Sequence, residues 1–143
     1  MSAPSVLIVG CGDVGGRLAQ QLLGFGWSVS GLRRNVSALP SGVTGIAADL
    51  ENPQCPADWP LVVPDYVVYC VAASQHDEAG YQAAYVQGLR HVLGWLAERG
   101  QRPRRLLFVS SSSVFAQQDG EWIDETDATL PTGYSGQVML QAE

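Results

Sequence analysis

The stretch VLIVGCGDVGGRL, Val6 to Leu18, decides how the rest of the chain is interpreted. A run of branched apolar residues predicts a buried strand over Ser5–Val9. Apolar residues spaced three and four apart then predict a helix over Gly12–Phe25, with Val14 and Phe25 on its buried stripe. Three glycines between strand and helix fit the spacing G-x-G-x-x-G, and they are Gly10, Gly12 and Gly15.

That spacing, placed between a strand and a helix, is the fingerprint of a dinucleotide-binding loop. One glycine permits a tight turn, the next lets a pyrophosphate approach the main chain, and the third lets helix and strand pack closely. Unpaired N–H groups and the positive end of the helix favour phosphates. The alternative is a glycine-rich turn that holds no ligand. The residues predicted to contact the cofactor here are Gly10, Gly12, Asp13, Val14 and Gly15.

The remaining pattern predicts strands that alternate with helices. Four more strands are predicted, at Trp27–Leu32, Val43–Ala47, Asp65–Val71 and Arg105–Ser110. The longest helix is predicted over Gly80–Arg99, with a stripe that includes Leu93, and another helix begins near Tyr134. Four prolines between Glu51 and Pro64 predict an irregular connection with one helical turn near Asp58. This alternation predicts an α/β fold with a doubly wound parallel sheet between two helical layers, a Rossmann fold.

Composition limits the classes of function. The chain has 143 residues, which suits one domain, and its hydrophobic fraction of 46% is typical of a globular protein. The net charge of −6 and the absence of a basic stripe argue against a nucleic-acid binder. No apolar run approaches the about 20 residues that a membrane span needs. We therefore expect neither nucleic acid nor membrane as a partner.

Cysteine and histidine positions predict no metal site. The three cysteines form no Cys-x-x-Cys pair, and no signal peptide opens the sequence, which favours the cytoplasm. His76 and His91 lack partners at metal-ligand spacing, and His91 is expected to be solvated. Cys11, at the helix N-terminus, is either a reactive thiol or, as we favour, a small turn filler.

The last residues, Val138 to Glu143, have the pattern of a helix that has barely started. We therefore expect residues 1–143 to be the N-terminal, NAD(P)-binding part of a longer protein whose substrate-binding part is absent. The alternative is a short domain with a frayed terminal helix.

Two arginines follow the second strand. In NAD-preferring domains an acidic residue near this point binds the ribose 2′-hydroxyl, whereas here Arg33 and Arg34 offer guanidinium groups that suit a 2′-phosphate. This pattern predicts NADP(H) as the preferred cofactor, with NAD(H) as the second choice. The alternative is a pair of solvated surface arginines.

Residues after the third and fourth strands complete the predicted cofactor site. Asp49 and Leu50 are placed to reach the adenine, although Asp49 is equally well explained as a turn residue. The small residues that end the fourth strand would let the ribose and nicotinamide lie close, or they simply pack tightly. These residues are Val71, Ala72 and Ala73.

The glycine stretch, AADL, the end of VVYCVAA, and LLFVSSSSVF together resemble an extended short-chain dehydrogenase/reductase, in the atypical branch of the NAD-dependent epimerase/dehydratase group. The resemblance spans nearly the whole chain. It implies that Ser111 is the catalytic serine, which orients the substrate oxygen, and that Tyr134 is the catalytic tyrosine, which acts as general base or acid. It also implies a homodimer paired through the long helix.

The sequence departs from that family at three points. Val138 stands where the family has the lysine that assists the tyrosine, Tyr85 stands where an asparagine is common, and the glycine loop is one residue shorter. Without a neighbouring cation, a tyrosine is a poor general base at neutral pH. Tyr134 as a packing or hydrogen-bonding residue is therefore the alternative.

The resemblance implies an oxidoreductase that moves a hydride between nicotinamide and a carbon bearing a hydroxyl or carbonyl, for example on a nucleotide sugar. The first alternative is a protein that binds NADP(H) without chemistry, as a sensor or scaffold. A second is the Rossmann domain of another dehydrogenase group, which explains the glycine spacing but not the serine run.

Overall fold

Five parallel strands form one sheet in the computed structural model, which describes residues 3–117 and 119–143. The strand order is β3-β2-β1-β4-β5. From β1 the chain adds β2 and β3 on one side of the sheet and then returns to add β4 and β5 on the other side of β1. The doubly wound parallel fold is confirmed, and each strand boundary lies within two residues of the predicted one. The strands are β1 (Ser5–Val9), β2 (Ser28–Arg33), β3 (Thr44–Ala47), β4 (Tyr66–Tyr69) and β5 (Arg105–Phe108).

Helices cover both faces of the sheet. The predicted long helix is interrupted by a π-helical segment, Gln82–Gln87, which the sequence pattern did not indicate. None of the described helices is long and apolar enough to cross a membrane. The helices are α1 (Asp13–Gly24), α2 (Glu78–Tyr81), α3 (Gly88–Glu98) and α4 (Tyr134–Ala142), with short 3₁₀ turns at Val36–Ala38 and Ser112–Val114.

The alternation of strands and helices is interrupted at two connections; the irregular connection between β3 and β4 was predicted, and only its expected helical turn is wrong. No α-helix joins β2 to β3 or β3 to β4, and the residues near Asp58 form a turn instead of the expected helical turn. Prolines in that segment remove the amide donors that a helix needs. The irregular segment covers the sheet with Trp59, whose ring lies 5.5 Å from that of Trp95 and whose Nε1 donates to Gln101 at 2.9 Å.

Two buried clusters lie on opposite faces of β1. One face packs against α1, and the other packs against α3 and the irregular β3–β4 connection. The predicted stripe of α1 is wrong at its ends, since Val14 is 64% exposed at the edge of the sheet and Phe25 is 80% exposed where the helix stops. Hydrophobic burial therefore fixes the middle of α1 and leaves its first turn open.

The buried face of α3 also differs from the expected one. Leu93 is 47% exposed, whereas Trp95 is buried and its Nε1 donates to the carbonyl of Pro53 at 2.9 Å. The reason is that the irregular β3–β4 connection packs against the Trp95 side of the helix. Spacing along the helix alone could not show which side that connection would cover.

Candidate functional site

A cleft of about 600 Å³ opens at the carboxyl ends of β1, β2, β3 and β4. In a doubly wound sheet this edge is where ligands bind, at the point where the strand order reverses. Gly15 and Ala73, both predicted to contact the cofactor, do not line it. The cleft does bring together the other predicted residues, which are Gly10, Gly12, Asp13, Val14, Arg33, Arg34, Asp49, Leu50, Val71 and Ala72.

Glycine is required at two points of the loop between β1 and α1. Gly10 has φ of +83°, and a Cβ there would lie 2.6 Å from the Cα of Val71. A Cβ on Gly15 would lie 2.9 Å from the Ile8 side chain and 3.1 Å from the Cys70 sulfur. Gly10 therefore permits the turn, and Gly15 permits α1 to pack closely on the sheet, as the sequence predicted.

The first turn of α1 has main-chain donors that face no acceptor. The amides of Gly10 and Cys11 donate to the Leu32 carbonyl, at 2.9 and 3.1 Å, but within the described residues nothing accepts from the amides of Asp13 and Val14. The first amides of any helix lack intrahelical partners, and they carry the positive end of its dipole. These two residues line the cleft, so it offers an anion unpaired donors.

Charged side chains of both signs line the cleft. Arg33 and Arg34 lie at the end of β2, and Arg33 donates to the Cys11 carbonyl at 3.4 Å. Asp49 and Glu51 line the cleft after β3. Asp13, within the glycine loop, is paired with Arg17 at 3.1 Å, which offsets its charge beside the unpaired amides.

The segment after β3 is held by contacts that the sequence did not indicate. Asp49 accepts a hydrogen bond from the Glu51 amide at 3.0 Å, so it has the turn role as well as a place in the cleft. His91 was expected to be solvated, but it is half-buried, its Nδ1 donates to the Leu50 carbonyl, and its ring stacks on Trp95. That contact spans 41 residues, so no local signal could have indicated it.

Cys11 lies within the glycine loop, and Cys70 packs against it. Burial raises the pKa of the Cys11 thiol, and the nearby Arg33 offsets only part of this effect. Burial, with a smaller contribution from Cys11, raises the pKa of the Cys70 thiol to about 11. Both thiols are therefore protonated at neutral pH, which favours the turn-filling role for Cys11 over the reactive one.

Ser111 and Tyr134 lie outside the residues that line the cleft. The Ser111 hydroxyl accepts from the Ser113 amide at 3.1 Å, and the Tyr134 hydroxyl donates to the His76 carbonyl at 2.8 Å. A Cβ on Gly136 would collide with the Ser113 carbonyl, so α4 lies directly against the 3₁₀ turn. The structure thus places the two segments side by side, with each hydroxyl in a local hydrogen bond.

The position of the family's lysine is part of the core. Val138 is 2% exposed and belongs to the buried face of α4 together with Gly136 and Met139. The chain contains no lysine at any position, because all eight of its basic residues are arginines. The ring of Tyr81, 5.4 Å from that of Tyr134, supplies an apolar neighbour instead.

Several lining residues were missed by sequence reasoning. Ser74, Gly80, Ala83 and Ala84 carry only the weak signal of small side chains after β4 and at the start of a helix. Within the described part of the chain, no cluster of three or more His, Cys, Asp or Glu residues could hold a metal ion. The other missed residues of the cleft are Leu32, Asn35, Ala48, Glu51 and Cys70.

The sequence profile of the NAD dependent epimerase/dehydratase family matches residues 6–137. Among solved structures, a putative NAD-dependent epimerase/dehydratase from Methylobacillus flagellatus is 37% identical, with a TM-score of 0.76. That alignment covers 99% of this chain and 49% of the other. Among curated proteins, none is similar enough to count as a match.

Two more distant structures share the fold. The Bordetella bronchiseptica enzyme WbmG, in complex with NAD and UDP, is 19% identical with a TM-score of 0.73, over 99% of this chain and 48% of that one. UDP-glucose 4-epimerase from Brucella ovis, in complex with NAD, is 22% identical with a TM-score of 0.77, over 98% and 46%. The chain thus spans about half the length of the structures it matches. The resemblance inferred from the sequence is confirmed, and the chain belongs to the NAD-dependent epimerase/dehydratase family.

Proposed function

We propose that residues 1–143 form the NADP(H)-binding domain of an oxidoreductase that acts on a hydroxyl- or carbonyl-bearing small molecule, with nucleotide sugars as the leading class. One observation carries the proposal: the amides of Asp13 and Val14 are unpaired among the described residues, and both residues line the cleft together with the glycine turn at Gly10. Two neighbouring N–H groups without acceptors at a helix N-terminus bind a diphosphate more favourably than a neutral ligand.

The residues of the cleft fit a dinucleotide. Gly12 lines the cleft, and a Cβ built on it meets no atom within 4 Å, so the space beside it is free for a diphosphate. Leu50 and Val71 provide apolar walls on either side of the loop. A nicotinamide dinucleotide, when bound, supplies the hydride acceptor or donor that the chain's own side chains lack.

The preference for NADP(H) is supported by the end of β2. Arg33 and Arg34 both line the cleft there, at the position where an NAD-preferring domain carries an acidic residue. A guanidinium group can bind a phosphate through two parallel hydrogen bonds. WbmG and the Brucella epimerase are bound to NAD, so a preference for NADP(H) would be a difference between this chain and those two proteins.

We assign the proton-handling role to Ser111 and Tyr134. Tyr134 would exchange the His76 carbonyl for a substrate oxygen, and Ser111 would orient that oxygen from the neighbouring turn. Each hydroxyl must leave a local hydrogen bond to do so, which costs about 1 kcal/mol per bond. Activity therefore requires that Ser111 and Tyr134, which lie outside the cleft lining, give up these local hydrogen bonds.

A second candidate function is cofactor binding without turnover, as a sensor or scaffold. It is favoured by the buried Val138 at the lysine position and by the lack of any lysine in the chain. Proton transfer by Tyr134 then has no ammonium group from residues 1–143 to assist it. The cofactor cleft would be unaffected by this change.

Calorimetric titration of the protein with NADP⁺ and NAD⁺ tests cofactor preference. Arg34→Ala is the sharpest variant, because Arg34 is exposed and Arg33 also holds the Cys11 carbonyl. We expect it to weaken NADP⁺ binding about tenfold and to leave NAD⁺ binding within about twofold. Arg90→Ala, an exposed arginine outside the cleft, is the matched control. Equal losses for both cofactors would contradict the assignment.

Product analysis separates the two candidate functions. The full-length protein is incubated with NADP⁺ or NADPH and a panel of nucleotide sugars and small carbonyl compounds, and products are identified by mass and chromatography. A product that disappears in Tyr134→Phe supports the oxidoreductase. Tight cofactor binding without product from any member of the panel supports the binding protein.

A further inference from the structure

The π-helical segment lies at the cleft and contacts a buried side chain of the sheet. Gln82–Gln87 widens the helix between α2 and α3, which otherwise continue one another. Such segments are rare and are concentrated at functional sites, where a side chain often disturbs the regular hydrogen-bond ladder. Here a side chain from the sheet donates a hydrogen bond to a carbonyl within the segment.

Tyr69, the last residue of β4, supplies that side chain. Its hydroxyl donates to the carbonyl of Ala84, in the middle of the π-helical segment. The ring is fully buried and stacks on Phe108 with 5.9 Å between centroids. Burial raises the pKa of Tyr69 well above its usual range, so the hydroxyl remains a donor throughout the physiological range. The sheet is thus fastened to one carbonyl of the helix.

Gly88 makes room for this contact. A Cβ at that position would lie 2.5 Å from the Tyr69 hydroxyl and 3.2 Å from the Ala83 carbonyl. Because the neighbours include backbone and a buried phenol, no flexible side chain could move aside. The tyrosine and the glycine therefore act as one unit.

The fastened segment forms a wall of the cleft. Ala83 and Ala84 line it, and so does Leu50 from the segment after β3. A Cβ on Gly88 would lie 3.4 Å from the Leu50 side chain, and His91 donates to the Leu50 carbonyl. The helix is held to the sheet by Tyr69 and to the β3 segment by His91, with the alanine wall beside both.

We propose that Tyr69 is a positioning residue for the dinucleotide: its hydroxyl holds the π-helical segment so that Ala83 and Ala84 form the cofactor-facing wall. The inference rests on the proposed function, since the wall matters only if the cleft binds a dinucleotide. It assigns a function to a fully buried side chain that does not itself line the cleft.

The test compares dissociation constants for NADP⁺ by calorimetry, well below the unfolding temperature. Tyr69→Phe keeps the ring and removes only the hydroxyl, and we expect binding to weaken about three- to tenfold. Tyr66→Phe is the matched control, because this tyrosine is on the other face of the same β4 strand and its hydroxyl bonds to no described residue. We expect binding within about twofold of wild type.

A double-mutant cycle tests the tyrosine and glycine as a unit. Gly88→Ala should weaken NADP⁺ binding more in the wild type than in the Tyr69→Phe background, where the removed hydroxyl leaves space for the Cβ. Hydrogen exchange adds a measurement on the unmodified protein: bound NADP⁺ should slow exchange of the amides in Gln82–Gln87.

The outcomes are distinguishable. Wild-type affinity in Tyr69→Phe, or additive losses in the cycle, overturns the positioning role and leaves the proposed function intact. Unchanged exchange in the π-helical segment on binding overturns it as well. Failure of the wild-type protein to bind any nicotinamide dinucleotide overturns the proposed function and this inference with it.

Discussion

Two polar regions at the sheet's carboxyl edge, a β1–α1 end at its middle strand and a β5–α4 end at an outer strand, use their polar groups in opposite ways. At the β1–α1 end, the amides of Asp13 and Val14 are unpaired and open to the cleft. At the β5–α4 end, the hydroxyls of Ser111 and Tyr134 are engaged in hydrogen bonds to their own surroundings. The first end is prepared for a ligand before the ligand arrives, and the second is not.

This difference follows from the kind of group that each end uses. Main-chain amides at a helix start are held in place by the whole strand–turn–helix unit, so they can face a cleft without collapsing onto a neighbour. Side-chain hydroxyls rotate and find nearby acceptors. The buried Val138 adds an apolar contact where the family has a charged one. The groups proposed to bind the cofactor are therefore held in place by the fold, whereas the hydroxyls proposed to transfer protons are not.

The largest expected effect is at the prepared end, in Gly10→Ala. The new Cβ would lie 2.6 Å from the Val71 Cα at a residue whose φ is +83°. Backbone strain and overpacking together should lower the free energy of unfolding by about 2–5 kcal/mol. Urea denaturation measures the loss. A stability equal to wild type would show that the close approach of the loop to β4 is not required.

The next effect is at the other end, in Val138→Lys. An ammonium group placed at this buried position should lower the free energy of unfolding by about 2–4 kcal/mol more than Val138→Met, which matches its length without the charge. Thermal or urea unfolding of both variants makes the comparison. A lysine variant as stable as the methionine variant, with raised turnover, would contradict this expectation. It would show that the site around Tyr134 lacks only the lysine ammonium group.

A smaller effect is expected for Tyr134→Phe. Loss of the hydrogen bond to the His76 carbonyl should lower the free energy of unfolding by about 1 kcal/mol. Tyr81→Phe is the control, because its ring contacts Tyr134 while its hydroxyl bonds to no described residue. Urea denaturation of the two variants would disagree with this account if both were equally stable.

Local sequence pattern was sufficient for the strands and for the glycine loop. The apolar run over Ser5–Val9 and the spacing of Gly10, Gly12 and Gly15 depend only on neighbours in the chain, so their placement could be predicted. The roles expected of the glycines as turn and close-packing residues match the geometry at Gly10 and Gly15.

Contacts between distant segments could not be predicted. Trp59 and Trp95 are joined only because an irregular connection packs on α3, and the π-helical segment exists beside a hydroxyl that lies 15 residues earlier. The same limit applied to Ser111 and Tyr134, since the family resemblance implied catalytic roles for them but did not indicate the hydrogen-bond partners that the structure shows. The sequence indicated most of the residues that line the cleft, but their hydrogen-bond and packing partners depend on the tertiary structure.

The most direct measurement of the central claim compares wild type with Gly12→Ala. A Cβ at Gly12 meets no protein atom within 4 Å, so the fold should be retained, yet it would occupy space beside the unpaired amides. Calorimetry should show NADP⁺ binding to wild type and a loss of at least about tenfold in the variant, with an unchanged unfolding temperature. Equal affinity in the two proteins, or no binding to wild type, would contradict the claim that these amides hold a diphosphate.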